Sequence, residues 1–411
     1  MLRHNVVITA GSCGIAALAV GLAPATAQAA QATRAAQATR AAQEAQATGA
    51  ARVTLAGPAA QQPAPGWRIV HVNNYGGHDS LTAVTAVSPT DAWAGGLVTN
   101  TGTHAFLQHW DGRAWTRASL PRAIRKIRLG QVSDLAASSA SNVWAFISGH
   151  PAAAARFDGT TWRVVREWPG EAFSITGEAF SARDVWMFGG IGPQTAGTWH
   201  YDGRSWTRPK MPLTAFDVSR VSAKDEWAIG DRLGRQGTYV GGVEHWNGHS
   251  WAIVPTGKLI PADTAVRSTA LGQILAQSRR SVWVTGTTYT GGFQHLTSFI
   301  LHWNGRTWRR VTAGPDLSLG PAAIGGAGLL TVAQRVRLTN QYTDPAPALA
   351  SYAPARQVTL ATPSHPGRSL EINAIADIPG TRSSWAVGGY FTDGAAPGWI
   401  PAGGVILRRG R

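Results

Sequence analysis

From Trp67 onward the chain alternates short apolar, aromatic runs with polar turns that carry glycine. One pattern places Asp-Gly or Asn-Gly between two such runs: HWDGRAW at 109–115, RFDGTTW at 156–162, HYDGRSW at 200–206, HWNGHSW at 245–251 and HWNGRTW at 302–308. Asp-Gly and Asn-Gly are strong hairpin signals because both residues tolerate positive φ and so match the twist of the flanking strands. Each copy therefore predicts a strand, a tight turn and a second strand. Asp111, Gly112, Trp115, Asp158, Gly159, Trp162, Asp202, Gly203, Trp206, Asn247, Gly248, Trp251, Asn304, Gly305 and Trp308 are assigned to this repeated framework.

A second pattern interleaves with the first: SPTDAWAGG from 88, SASNVWAF from 139, SARDVWMFGG from 181, SAKDEWAIG from 222, SRRSVWVTG from 278 and TRSSWAVGG from 381. A Ser/Asp/Asn turn leads here into a short strand centred on tryptophan. Trp93, Trp144, Trp186, Trp227 and Trp283 follow one another at the interval of a four-stranded repeat, and Trp385 stands two intervals after Trp283. The gap holds a worn copy, GGAGLLTVAQ at 325–334 and ALASYAPARQVTL at 348–360, with Tyr352 and Val358 in the place of the hairpin aromatics. In the second unit the strands are expected near Val132–Ala137, Val143–Ile147, Ala152–Phe157 and Trp162–Arg166.

The two ends complement each other. GGVILRRGR at 403–411 matches the strand before a hairpin turn, and Trp67-Arg68-Ile69-Val70 matches the strand after one. The expected fold is therefore all-β, a seven-bladed β-propeller over residues 65–411 with a degenerate sixth blade, closed by pairing of the N- and C-terminal strands. Tryptophans should fill the wedges between blades. The glycine pairs Gly95-Gly96, Gly189-Gly190 and Gly388-Gly389, each followed by a further strand, together with the aromatic-Asp-Gly-x-x-Trp hairpins, resemble kelch-type propellers and the secreted Trp-rich repeat proteins of actinobacteria. That resemblance implies the architecture and lends no activity, and most repeats depart from it by lacking a full diglycine.

Ahead of the repeats, Arg3 and His4 precede an apolar run from Val6 to Leu22 and the small residues Ala25-Thr26-Ala27, which reads as a signal peptide over 1–27. Residues 28–64 form an Ala/Gln/Thr-rich tether containing AAQATRAAQATRAAQ, with no apolar stripe to pack. The expected location is extracellular or associated with the cell wall, not membrane-spanning after cleavage. Cys13 is the single cysteine and falls inside the signal, so the exported chain has no disulfide, cysteine-ligated metal or cysteine nucleophile.

The net charge of +15 is nearly all arginine. It provides unspecific attraction to polyanions, with one small cluster at Arg122, Arg125, Lys126 and Arg128. No specific nucleic-acid site, cofactor or metal is expected, and the chain is read as a monomer. Galactose oxidase chemistry, known from kelch-like propellers, needs a tyrosine linked to cysteine that this chain cannot supply. A sialidase Asp-box is matched only weakly by Asp111-Gly112-Arg113-Ala114-Trp115, in which Asp and Gly are adjacent. His109, His200, His245 and His302 occupy one repeat position, so they radiate around a ring and cannot share a metal. The i, i+4 pair His245 and His249 flanks a turn, which removes the helical face such a metal pair requires.

Function is therefore sought in the irregular loops 73–79, 230–242, 287–295, 338–345 and 390–399. They supply Tyr75, His78, Asp79, Asp231, Tyr239, Tyr289, His295, Tyr342, Asp344, Tyr390, Asp393 and Trp399 as candidate ligand-binding residues, and no catalytic residue is assigned. The sequence reads as an exported, non-catalytic binding module for a carbohydrate, another cell-envelope component or an extracellular protein. The rivals are a secreted glycan-active hydrolase or lyase and an interaction module without a small ligand.

Overall fold

A computed structural model describes residues 67–73, 75, 78–100, 102–169, 175–189, 196–233, 239–264, 266–291, 295–315, 317–325, 328–337, 342–343, 348–353, 356–360, 368–392 and 402–410. The expected signal and tether lie outside them. The described residues are all-β apart from one helical turn.

The antiparallel sheets follow chain order. Sheet 1 comprises β2 (His78–Ser88), β3 (Asp91–Thr99), β4 (Thr103–Trp110) and β5 (Trp115–Ala118). The turn α1 (Arg122–Arg125) leads into sheet 2, with β6 (Arg128–Ser139), β7 (Asn142–His150), β8 (Ala152–Phe157) and β9 (Trp162–Trp168). Sheet 3 holds β10 (Thr176–Ser181), β11 (Asp184–Phe188), β12 (Thr198–Tyr201) and β13 (Trp206–Thr207). Sheet 4 holds β14 (Thr214–Ser222), β15 (Asp225–Leu233), β16 (Tyr239–Trp246) and β17 (Trp251–Val254). Sheet 5 holds β18 (Arg267–Ser278), β19 (Ser281–Thr290), β20 (His295–Trp303) and β21 (Trp308–Pro315).

Sheet 6 orders β22 (Leu317–Gly325), β23 (Gly328–Arg337), β25 (Ala348–Ala353) and β26 (Arg356–Leu360), with the short β24 (Tyr342–Thr343) added to β23. Sheet 7 orders β27 (Arg368–Asp377), β28 (Ser384–Thr392), β29 (Gly403–Arg409) and then β1 (Arg68–Val72) from the other end of the described chain. The register pairs Arg68 with Arg408 and Val72 with Val405, as the complementary ends of the sequence implied.

The hairpin turns differ from the expectation in one respect. Trp110 pairs directly with Trp115, so four residues, not two, connect the strands. Gly112, Gly159, Gly203, Gly248 and Gly305 have φ of +93 to +98°, whereas the preceding Asp or Asn has negative φ. The Asp or Asn acts through its side chain: Asp111 Oδ1 accepts the N–H groups of Arg113 at 2.8 Å and Ala114 at 2.9 Å. Asn247 and Asn304 accept the same two bonds in their turns. An Asx turn needs only one acceptor oxygen, which explains why Asp and Asn interchange along the repeat. The backbone N–H groups also hold the Asp111, Asp158 and Asp202 carboxyls below their usual range.

The second pattern places its tryptophan on the second strand of a sheet and aims it at the hairpin aromatics of the next. Trp385 meets Trp110 and Trp115 at ring-centroid distances of 5.4 and 5.2 Å. Trp93 meets Phe157 and Trp162 at 4.9 and 5.1 Å, and Trp144 meets Tyr201 and Trp206 at 5.5 and 5.8 Å. Trp186 reaches Trp251 at 5.8 Å, and Trp227 reaches Trp303 and Trp308 at 6.0 Å. Toward sheet 6 the aromatics are missing, and Trp283 packs instead with Leu319 and Leu329. The register of that sheet puts Tyr352 opposite Gln357 and Val358 opposite Ser351, so Tyr352 and Val358 do not face each other as the hairpin aromatics do elsewhere.

The repeated histidines belong to the same device. His109, His200 and His245 lie 4.3 to 4.5 Å from Trp93, Trp186 and Trp227 and hydrogen-bond to Asp91, Asp184 and Asp225. Where the aspartate becomes Asn142, the histidine becomes Arg156; Asn142 accepts the Trp144 indole N–H at 3.1 Å, as Asp225 accepts that of Trp227 at 3.0 Å. Gly96 and Gly388 close the motif because a Cβ there would lie 1.9 and 1.6 Å from the carbonyl oxygens of Ser80 and Glu371 on the first strand.

Trp144 is fully buried, so Trp144→Ala is expected to cost about 3–5 kcal/mol by leaving a cavity between sheets 2 and 3, measured by denaturant unfolding. In the Asx turn, Asp111→Asn should leave the melting temperature unchanged, whereas Asp111→Ala should lower it; equal losses in both variants would refute the one-oxygen role.

Candidate functional site

Two features outside the repeated framework carry chemistry. The first is a row of carboxylates where the first strands of sheets 2, 3 and 4 run side by side. Several first strands bulge in mid-course: the register shifts at Leu81/Ala83, Val132/Asp134, Ala215/Asp217, Leu271/Ile274, Leu319/Ala322 and Ile372/Ala374. A bulge frees a side chain and backbone groups from the ladder and re-aims them. Around these bulges, side chains cross to the next sheet. Asn373 Nδ2 donates to the Leu81 carbonyl at 2.9 Å, Thr82 to that of Val132, Ser133 to that of Ile175 and Thr176 to that of Phe216 at 3.5 Å. Asp217 Oδ2 accepts from the Ile274 N–H and Gln273 Oε1 from the Ala322 N–H, both at 2.7 Å.

Asp134 takes part in this lacing by accepting the Gly177 N–H at 2.9 Å and its neighbour Leu135's N–H at 2.8 Å. Both it and Asp217 are half-buried with protein packed around them. Burial, only partly offset by those N–H donors, pushes their carboxyls up to about 6 and about 8. Glu178 stands between them on β10, raised well above the usual carboxylate range first by burial and then by the charges of Asp134 and Asp217. The three acids therefore sense one another, and Glu178 is the member that no backbone donor ties down among the described residues.

The second feature is a cleft of about 310 Å³ at the end of sheet 4 from which the strand 2–3 loops and the links to the next sheet emerge. Leu213, Ile253, Val254, Ile260 and Pro261 make its walls apolar, and Arg232 supplies an exposed cation. Its outer wall, the link from β17 to β18, is fixed in place: Arg310 Nη1 donates to the Leu259 carbonyl at 2.6 Å, Arg267 holds that of Ala262, and Asp263 accepts the Thr269 N–H at 2.8 Å. The cleft is thus built before any ligand arrives. Beneath it Glu244, fully buried, accepts the Leu213 N–H at 3.3 Å through one oxygen while its other oxygen has no partner, and burial pushes its carboxyl up to about 8.

Those of the residues expected from the loops that are described map to this same end but do not form one site. Tyr75 and Asp79 are brought together: Gln108 donates to the Tyr75 hydroxyl and to Asn73, and Asn73 donates to Asp79 at 2.7 Å. Asp79 is 1% exposed and also accepts the Gly404 N–H at 2.8 Å, so its carboxylate clasps β29 to sheet 1 and is not offered to a ligand. Tyr239 and Tyr289 are likewise buried, so the phenols expected on the surface lie beneath it. His78 and His295 are exposed, while Asp231 and Tyr390 are half-buried on other sheets. Tyr342 lies in β24, and Asp344, Asp393 and Trp399 lie outside the described residues. Asp134, Glu178, Asp217, Arg232 and Glu244 were not foreseen. The signal that could have found Glu244 is a lone acid in a strand position held by Ala155, Leu301 and Leu407 in other repeats.

Among the described residues, no group of three or more His, Cys, Asp or Glu is placed to hold a metal ion, and no helix is long and apolar enough to cross a membrane. No family model matches the sequence, and no curated protein is significantly similar to it. Solved structures do resemble the fold. YCF48 bound to D1 peptide aligns with a TM-score of 0.51 at 12% identity, covering 87% of this chain and 100% of that one. The β-propeller domain of Myceliophteria thermophila Cps50 (Swd1) aligns with a TM-score of 0.51 at 12% identity, covering 84% and 100%.

The raised carboxyl of Asp217 sets a pH dependence. Its ordinary value is 3.8 and its folded value about 8, so between them the folded state binds the proton more tightly; stability is full below that window and falls as pH rises through it. Denaturant unfolding from pH 4 to 9 should show this decline, and Asp217→Asn should flatten it; an unchanged slope in the variant would assign the decline elsewhere. At these low identities the comparisons give architecture alone: the chain has the fold of a tryptophan-rich β-propeller.

Proposed function

We propose that the protein is an exported, non-catalytic seven-bladed propeller, closed by its two terminal strands, that binds a carbohydrate or another cell-envelope or extracellular protein partner through the end bearing the sheet 4 cleft. The observation that carries this reading is the cleft itself: apolar, pre-built and bearing an arginine, the composition expected of a binding pocket. The β1–β29 pairing and the contact of β2 with β27 support the closed ring. A peptide-bound neighbour of the same fold is in keeping with a protein partner. Kelch-type or actinobacterial kinship rests on the repeats alone.

A specific observation favours a second reading, a glycan-active enzyme: Asp134, Glu178 and Asp217 gather on the first strands of three successive sheets with raised carboxyls, as acid catalysts require. It ranks lower because Asp134 and Asp217 already spend their oxygens on backbone N–H groups that lace the sheets together.

A glycan array probed with the full chain at low and physiological salt, alongside envelope-protein capture, tests the first reading. Binding should survive physiological salt and drop about tenfold or more in Ile253→Glu, whose wild-type side chain is 46% exposed on the cleft wall. Binding to neither arm would overturn the reading, and release of sugar from the array that Glu178→Gln abolishes would replace it with the enzymatic one.

A further inference from the structure

On the same end as the cleft, but between sheets 1 and 2, the link from β5 to β6 carries Arg122, Arg125, Lys126 and Arg128, and every one of them is exposed. No carboxylate pairs with any of the four among the described residues. The backbone that presents them is held rigidly. Leu120, Ile124 and Ile127 are buried in the core formed with Leu107 and Ile147, so the cations fall on the outward side of α1 and of the segment that follows it. The Lys126 N–H donates to the Ala123 carbonyl at 3.2 Å and the Ile127 N–H to that of Ile124 at 3.1 Å. Gly149 packs so closely under this link that a Cβ there would lie 2.5 Å from Ile127 Cγ2 and 2.9 Å from the Arg128 carbonyl oxygen. Immediately after Arg128, Leu129 is 37% exposed at φ +54°, the one positive-φ residue other than glycine among the described residues. A leucine held both exposed and left-handed costs stability that a merely solvated loop would not require.

We propose that this link is a binding site for a carboxylate-bearing linear polysaccharide, a polyuronate, in which the arginine forks take successive carboxylates and Leu129 lies against the apolar face of a sugar ring. Four unpaired cations on a fixed backbone favour a polyanion over a single acidic group, because the backbone spaces the charges in advance and no loop ordering adds to the freedom the side chains lose on binding. Three of the four are arginine, whose planar fork matches a carboxylate in two bonds at once. Nucleic acid is the less suited polyanion. On single strands its sequence-independent binding adds base stacking on exposed rings to the charge attraction, whereas Phe106 and Trp115 of the adjacent sheet are buried and the exposed apolar group here is aliphatic.

The test is titration of the full chain with a defined oligogalacturonate, a single-stranded DNA of matched charge and neutral dextran, at low salt and at about 0.15 M. Oligogalacturonate should bind more tightly than the DNA, and dextran should not bind. The variant R122Q/R125Q/K126Q/R128Q should lose about tenfold or more in oligogalacturonate affinity and show a shallower salt dependence, with its melting temperature preserved because all four side chains are exposed. Ile253→Glu should leave this binding intact, which separates the site from the cleft. Absence of oligogalacturonate binding, equal affinity in the four-site variant, or tighter binding of the DNA would overturn the proposal.

Discussion

The contact on which the structure rests is a tryptophan on the second strand of one sheet wedged against the hairpin aromatics of the next. It solves the problem that successive four-stranded sheets share no backbone ladder. Each indole removes a large apolar area from water, and its edge-on geometry against the neighbouring ring adds a directional preference. Because the hairpin must deliver its aromatics to the wedge, the Asx turn and the positive-φ glycine recur with it. The histidine that covers the tryptophan recurs too, oriented by an aspartate from the same motif. Sheet 6 shows the dependence from the other side: without hairpin aromatics, Trp283 settles among leucines.

A second layer of cohesion lies at the first strands. Bulges at corresponding positions turn side chains sideways, where Asn373, Thr82, Ser133, Asp217 and Gln273 reach backbone groups of the adjacent sheet, and Thr176 does the same from the regular start of β10. These bonds are made by short polar groups in a half-buried setting, where leaving the backbone groups unpaired would be costly. The use of carboxylates for part of this lacing has an electrostatic consequence. Asp134 ties sheet 2 to sheet 3 and Asp217 ties sheet 4 to sheet 5, and with Glu178 between them these acids resist joint ionisation and make that region sensitive to pH.

The proposed recognition surfaces lie at the end where the frame becomes irregular. There, links between sheets are long enough to build the walls of a cleft and to display cations, yet they are held by Arg310, Arg267, Ile124 and Ile127 to the rigid sheets below. Asp79 illustrates the division of labour. It sits in a loop-like stretch rich in polar residues, but it is consumed in joining β29 to sheet 1.

The repeats by themselves determined the strands, their four-fold grouping, the complementary ends and the tryptophan wedges, because periodic apolar runs and Asp-Gly or Asn-Gly turns are local signals that every copy repeats. They also fixed the histidines as framework, since equivalent positions on different sheets cannot converge. What they could not decide was how the turns are made. The Asx geometry follows from a side-chain oxygen reaching two N–H groups, which composition does not reveal. Nor could they tell which polar residues face water: Asp79, Tyr239 and Tyr289 are buried by sheets distant in sequence, while Arg232 and Arg122 to Arg128 are turned outward. The meeting of Asp134, Glu178 and Asp217 was equally hidden, because proximity between strands some forty residues apart is created by the packing of sheets and has no trace in linear spacing.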